Sequence, residues 1–523
     1  MGNQLNMKNK SETNVLPDPE RRLSFLLCCC VILLILFFQS STAWTAEKES
    51  DRKQTDSSGK QQAALTILCS SDLHGAMFGD TEDAASMLKM ASVIRKVRQR
   101  EAREGRDILL LDCGDLISGS FESSLNSPEM MAAFLNLMEY DAIVPGNHDV
   151  EPGMSAYLDF CSHFRGDALC ANLIGPAGKE WKSKWKLIRK NNLRIALIGC
   201  TAPYLDQWIP PGKLEGWRSG SLIASLDRIM YKVLAEKPDL ILLMLHFGEF
   251  VPERLMLSDS EEDIGNHESS LYAVSKRFPQ IQLIFGGHSH IAEAGKRLYP
   301  LTWYVQAPAH ADGIIKVELF RQKEKTWQIR SELLPVKQEK IDGICEKAFA
   351  DQQEHTDREK QRILAVLSGR IQTAEFCDHA VKSMYPDTVL TLFPKTGRKW
   401  LKKEITLWDL HQMYPYENHL CFLSLSREQF LQLINDQAEL KDEDYILTAA
   451  GEKLTAEMFQ PDSRGRMKVA LSSYSAAGGG GRYPALSRFI KDPACEFQES
   501  TRNIRELFRE YLQQRFPGKN NAE

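Results

Sequence analysis

The sequence predicts an α/β protein with a largely parallel sheet, and three observations lead there. The first is a series of short, continuous apolar runs at residues 63–69, 108–111, 142–144, 240–245 and 281–285. Runs of that length, bounded by Gly and polar residues, read as buried strands. The second is the helical spacing of apolar residues between them, at 84–103, 130–138, 222–234 and 271–278. Strands alternating with helices imply a parallel sheet covered on its faces. The third is a polar cluster after each run, at the predicted carboxyl end of its strand. Ligand sites of parallel sheets gather at those ends.

The run at 63–69 leads into Asp72-Leu73-His74, and that at 108–111 into Gly114-Asp115. The third leads into Gly146-Asn147-His148-Asp149, the fourth into His246, and the last into Gly287-His288-Ser289-His290. Asp-x-His and Gly-Asp are common by chance, and His246 alone reads equally as a core histidine. Gly-Asn-His-Asp is rarer, on the order of one in several hundred chains of this length at ordinary composition. Together the clusters bring two Asp, one Asn and four His suited to divalent metals: Asp72, His74, Asp115, Asn147, His246, His288 and His290. Mixed oxygen and imidazole donors of this kind suit a pair of ions, and such pairs promote hydrolysis of phosphate esters.

In this order the clusters resemble those of the calcineurin-like metallophosphoesterases. Within these the chain resembles the 5′-nucleotidase family, with its UDP-sugar hydrolase and 2′,3′-cyclic-nucleotide 2′-phosphodiesterase relatives. The resemblance runs from about Leu65 to about Leu507. It implies a four-layer α/β sandwich metallophosphoesterase domain followed by a smaller α/β C-terminal substrate domain. It implies two divalent metal ions, Zn or Mn. Asp115 would bridge them, with Asp72, His74 and His290 completing the first site and Asn147, His246 and His288 the second. His148 would act on the transition state or the leaving oxygen. Glu151 stands where nucleotidases carry Asp, and either orients His148 or is a solvated loop carboxylate. Asp149 reads as a structural hydrogen-bonding residue.

At 523 residues and 59.4 kDa the chain allows two or three domains. Its net charge of −5 offers no general attraction to nucleic acid, so a small phosphate ester is the expected partner rather than a polymer. Residues 1–43 read as a signal sequence or a membrane anchor. The apolar stretch from Leu23 to Phe38 follows Arg21-Arg22 and is followed by small residues up to Ala43, which suits cleavage; anchoring through the same stretch stays open. Export to the periplasm or cell surface is the expectation in either case. Residues 44–61 read as a linker, 62–335 as the catalytic domain, 336–370 as a linker helix, and 371–515 as the C-terminal substrate domain. The 12 cysteines form no C-x-x-C pair, so buried free thiols are expected, with Cys161 and Cys170 as one candidate bridge.

In the C-terminal part, Asp378-His379 reads as a helix start and Thr388 to Leu392 as a strand. The resemblance places substrate contacts at Arg398, Tyr416 and Tyr474. Tyr can replace the family's Phe, because stacking on a base needs only a flat ring. The loop Phe393-Pro394-Lys395-Thr396-Gly397-Arg398 departs from the family's Asn-Gly-Gly-x-x-Arg, and Gly480 stands where Asp is frequent. Tyr416 and Tyr474 read alternatively as core or turn aromatics, and Arg398 as a surface residue. The expected activity is a 5′-nucleotidase-like phosphoesterase. The alternatives are a 2′,3′-cyclic-nucleotide 2′-phosphodiesterase/3′-nucleotidase, a hydrolase of UDP-sugars or other phosphorylated metabolites, and a binding module retaining the fold.

Overall fold

The computed structural model describes residues 63–79, 81, 83–203, 205, 208–209, 211–248, 271–298, 301–322, 326–393, 397, 400–439, 459–476 and 484–517. The N-terminal calls on residues 1–61, Arg398 and Gly480 therefore lie outside the described residues. No described helix is long and apolar enough to cross a membrane.

Among the described residues, fourteen strands precede residue 336. They are β1 (Leu65–Ser70), β2 (Ile108–Asp112), β3 (Ala142–Ile143), β4 (Asp167–Ala168), β5 (Leu173–Ile174), β6 (Trp185–Lys190), β7 (Leu193–Cys200) and β8 (Arg218–Ser219). Then come β9 (Leu240–Leu245), β10 (Leu283–Gly286), β11 (Glu293–Arg297), β12 (Trp303–Gln306), β13 (Gly313–Arg321) and β14 (Trp327–Pro335). One six-stranded sheet has the order β14-β13-β1-β2-β3-β4, and the other β11-β12-β10-β9-β7-β6. Within each, the four strands that lead to or flank the polar clusters are parallel: β1 to β4 in one, β7, β9, β10 and β12 in the other. Antiparallel strands occupy the margins.

Strand alternation produces the layers. In β9, Leu240, Leu242 and Met244 join a buried cluster with Leu65, Ile67 and Leu109 of the other sheet. Their neighbours Ile241, Leu243 and Leu245 instead face a cluster containing helix residues. Residues pointing one way fill the space between sheets, and those pointing the other way meet helices. The helix Met87–Arg103 shows why such covers form. Ser86 accepts from the Lys89 N–H as N-cap, and Leu88, Ala91 and Ile94 recur on the buried face. The result is a helix–sheet–sheet–helix sandwich.

The helices Gly343–Ala348 and Ala350–Gln361 follow, the first capped by Asp342, whose side chain also pairs with Arg95 at 2.8 Å. The expected linker then gives way early. β15 (Ile363–Val366) pairs with β19 (Glu404–Thr406), because Leu364 and Ala365 are apolar and pack in the C-terminal core. β16 (Ile371–Gln372) and β18 (Trp400–Leu401) form a second small ribbon. The main C-terminal sheet has the order β17-β21-β20-β22, from Thr388–Leu392, Met467–Ser472, His419–Leu425 and Gln498–Asn503. Helices Thr373–Met384 and Ile504–Arg515 pack on one face, and Arg427–Glu439 and Pro484–Phe489 on the other.

Two expectations need correction. Asp378 and His379 lie inside the helix Thr373–Met384 rather than at its start. Asp378 is buried there, accepting from Thr391 Oγ1 (3.1 Å) and pairing with Lys382 Nζ (2.8 Å). Cys161 and Cys170 form no bridge: all nine described cysteines are free thiols. Cys170 instead directs its Sγ toward Asn172 Oδ1 (3.4 Å).

Candidate metal centre at the strand ends

The five clusters converge beyond the carboxyl ends of β1, β2, β3, β9 and β10. The loops after β1, β2 and β10 carry left-handed residues: Asp72 (φ 53°), His74 (50°), Asp115 (57°), His288 (72°) and His290 (58°). Non-glycine residues in that region are uncommon and cluster at functional sites, where surrounding contacts hold them. Here much of the holding is done by Asp149. Its carboxylate accepts the backbone N–H groups of Asp115 (2.9 Å), Leu116 (2.7 Å), Ile117 (2.9 Å) and Gly146 (2.8 Å). That clasp ties the β2 loop to the β3 loop. Gly146 is required by contact, since a Cβ there would lie 2.1 Å from Asp115 Oδ1.

Two groups of ligand atoms result, each drawn within 4.8 Å: Asp72, His74, Asp115 and His290, and Asp115, His246 and His288. Asp115 belongs to both. Asn147 joins the second, its Oδ1 lying 2.8 Å from His288 Nδ1 and 3.2 Å from His246 Nε2. The imidazoles are oriented from behind. His74 Nδ1 meets Ser118 O at 2.9 Å and His246 Nδ1 meets Cys113 O at 2.7 Å, so each turns Nε2 inward. His74 Nε2 then faces His290 Nε2 at 3.0 Å. Trp208 and Phe247 flank the His288 ring, at 4.6 and 6.1 Å between centroids.

Three features of these residues fit a pair of cations. Asp115 is buried, and its Oδ2 has no hydrogen-bond partner among the described residues, a costly state for a carboxylate oxygen unless a cation meets it. It lies 3.2 Å from His246 Nε2 and 3.9 Å from His74 Nε2. Burial pushes His74 well below its ordinary range, His288 down to about 3 and His290 down to about 4, which keeps them in the neutral, ligating form. Burial would also lower His246, but the Asp115 and Asp72 carboxylates outweigh it and hold that ring up at about 10. Burial lifts Asp72 to about 7, with Asp115 adding to the rise and His246 opposing it.

His148 and Glu151 lie beside this group. The His148 N–H donates to Asp115 Oδ1 (2.7 Å), and its ring centroid is 4.9 Å from that of His74. Its Nδ1 is 2.9 Å from Glu151 Oε2. Burial works against charge on His148, yet Glu151 and Asp115 raise it to about 10. An imidazolium is thus held next to the carboxylate both groups share.

The substrate residues expected in the C-terminal part are less sharply placed. Tyr416 is half-buried against the core and meets Tyr414 edge-on at 5.3 Å. Tyr474 is half-buried on the short helix Ser473–Ala476. Ser473 Oγ donates to Asn418 Oδ1 (3.1 Å) and accepts the His419 N–H (3.1 Å), fastening the two loops to one end of the sheet. Two cavities lie where the C-terminal part meets the sandwich. One, of about 350 Å³, is bounded by Glu151, Phe121, His411, Glu417 and Arg505. The other, of about 580 Å³, is bounded by Gly119, Phe121, His310, Trp408 and Pro415. Neither tyrosine lines either one. His310, Trp408, His411 and Arg505 belong to no recurring cluster in the sequence.

Residues 65–292 match the calcineurin-like phosphoesterase family. Protein UshA of Escherichia coli K12 is 26% identical over 235 residues, covering 43% of this chain and 40% of that protein. The chain thus matches about two fifths of the length of this curated relative. A proposed 5′-nucleotidase from Staphylococcus aureus, solved with alpha-ketoglutarate, superposes with a TM-score of 0.70 at 17% identity, covering 87% of this chain and 98% of its own. The sulfate thiohydrolase SoxB of Thermus thermophilus, solved with glycerol, superposes with a TM-score of 0.60 at 19% identity, covering 88% and 96%. These likenesses establish the sandwich followed by a smaller α/β domain. Because one fold hosts several chemistries, function has to be argued from the site.

Proposed function

We propose, from the match of residues 65–292 to the calcineurin-like phosphoesterase family, that this protein is a binuclear-metal phosphoesterase acting on phosphate esters of nucleotides outside the cytosol. The observation that carries the reading is the buried Asp115 carboxylate, at which two sets of ligand atoms meet and whose Oδ2 has no hydrogen-bond partner among the described residues. Asp72, His74, Asp115 and His290 would hold one divalent ion, and Asp115, Asn147, His246 and His288 the other. Zn and Mn both suit these donors. The ions would supply Lewis-acid charge for the phosphoryl oxygens and activation of water at neutral pH.

The chain's own residues do the rest. Ser118 and Cys113 carbonyls fix the imidazole tautomers of His74 and His246. Glu151 keeps His148 charged and oriented, so that its ring donates to the developing charge on a phosphoryl or leaving oxygen. Burial of Asp115 and Asp72 keeps water from screening these interactions. Arg398, Tyr416 and Tyr474 would receive the nucleoside. Export rests on the N-terminal apolar stretch from Leu23 to Phe38, read as a signal or an anchor.

A second reading follows from the loop at residues 393–398, which lacks the family's Asn-Gly-Gly-x-x-Arg pattern. Under it, the same metal pair acts on 2′,3′-cyclic or 3′-nucleotides, UDP-sugars or other phosphorylated metabolites. Phosphate release by the Zn- or Mn-loaded protein from 5′-AMP, 3′-AMP, 2′,3′-cyclic AMP and UDP-glucose decides between them, with a coupled phosphatase for diesters. Preferred turnover of 5′-AMP supports the first reading. Preference for another member of the panel supports the second. Failure on every phosphate ester, an aryl phosphate included, would reject both.

A further inference from the structure

His310 has a place in the site that the recurring clusters do not provide. It follows β12, the parallel neighbour of β10, so its loop emerges beside the one carrying His288 and His290. Its backbone N–H donates to Asp72 O at 2.8 Å, and its backbone is left-handed at φ 53°, like those of the surrounding ligand candidates. These contacts set its ring 5.1 Å from the His74 ring and 5.7 Å from the His290 ring, centroid to centroid. Yet His310 belongs to neither of the two groups of ligand atoms that share Asp115. It is also exposed, whereas His74 is buried. Its imidazole thus sits beside the ligand candidates and on the solvent side of His74.

His310 lines the cavity of about 580 Å³ together with Gly119 and Ser120 of the sandwich and Gly397, Trp408 and Pro415 of the C-terminal part. His310 and Gly119 join this cavity to the ligand candidates: the His310 ring neighbours those of His74 and His290, and a Cβ at Gly119 would lie 2.6 Å from His74 Nδ1. We propose that His310 is a further catalytic residue, whose ring N–H hydrogen-bonds a phosphoryl oxygen of the substrate on the His74–His290 side of the site. The proposal rests on the phosphoesterase reading above. It requires a donor, which either tautomer of the ring supplies.

The test compares the Mn-loaded wild-type protein with His310→Ala and His310→Asn. Asn retains an N–H donor and tolerates a left-handed backbone. Three quantities are measured: bound metal by elemental analysis, affinity for inorganic phosphate by calorimetry, and kcat/KM on para-nitrophenyl phosphate. The expected result is unchanged metal content in both variants. His310→Ala should bind phosphate about tenfold more weakly, the loss of one hydrogen bond to a charged group. Its kcat/KM should fall by roughly 10- to 100-fold, and His310→Asn should recover part of both. Phosphate affinity and kcat/KM within about twofold of wild type in His310→Ala, a scale below that of one such hydrogen bond, would overturn the proposal. So would loss of metal in that variant, which would make His310 a ligand. If the wild-type protein itself binds no phosphate and cleaves no ester, the phosphoesterase reading falls and this proposal with it. Phosphate binding by wild type that is equalled by His310→Ala removes this proposal alone.

Discussion

The two oxygens of Asp115 have different neighbours. Oδ1 accepts the His148 N–H at 2.7 Å, while the buried Oδ2 faces the inward nitrogens of His246 and His74. Asp115→Asn should therefore keep the backbone contact yet lose shared metal affinity and turnover. Gly146→Ala should do nearly the same by sterics, because its Cβ would meet Asp115 Oδ1 and N at 2.1 and 2.3 Å. Overpacking there is expected to cost about 1–3 kcal/mol in thermal unfolding, together with metal retention. His148→Ala should leave metal content intact and lower kcat by roughly 10²–10⁴-fold. In the metal-free protein Glu151→Gln should bring the His148 titration, held at about 10, back toward the ordinary histidine range, as read by NMR. A folded-state value raised in this way stabilises fully below the unfolded value and fades as pH rises through the folded one. The Glu151→Gln variant should thus be hurt most at neutral and mildly acidic pH, and least above about 10. The ligand candidates were legible in the sequence because each stands directly after an apolar run within a short polar cluster. His310 was not, because Ala307, Pro308 and Ala309 separate it from β12 and it repeats no pattern.

At the scale of elements, the buried parallel strands were readable because both faces are covered, which makes Leu240–Leu245 apolar throughout. Edge strands were harder. Trp185–Lys190 and Trp327–Pro335 mix apolar and charged residues along their length, since each has a neighbour on one side only. The helix expected at 84–103 begins at Met87 because Ser86 captures the Lys89 N–H. Ser86→Ala should cost about 1 kcal/mol of stability in chemical denaturation without touching the site. Asp149→Ala is a sharper test of how loops are held. It would leave four backbone N–H groups without their acceptor. A loss of at least about 2 kcal/mol is expected, with weakened metal retention. Normal stability in that variant would remove Asp149 from its role as the clasp between the β2 and β3 loops.

Across the whole molecule, the C-terminal part meets the sandwich through aromatic contacts, backed by charged pairs within the C-terminal part itself. Phe121 meets Trp408 edge-on at 5.1 Å and His411 at 5.4 Å. Arg505, buried, pairs with Glu417 and reaches His411 Nδ1 at 2.8 Å. None of these could be foreseen from local pattern, because each depends on residues far apart in sequence that meet only in the folded chain. The substrate contacts expected at Tyr416 and Tyr474 rested on resemblance for the same reason. Metal binding should couple to the stability of this assembly. At free metal a thousandfold above Kd, the folded state gains about 4 kcal/mol, so chelation should lower Tm reversibly. The most direct test of the account is bound metal measured together with phosphate release, on the wild-type protein and on Asp115→Asn. The account predicts a pair of divalent ions and nucleotide hydrolysis in the former, with loss of both metal and turnover in the latter. A full metal complement with undiminished turnover in Asp115→Asn would contradict it.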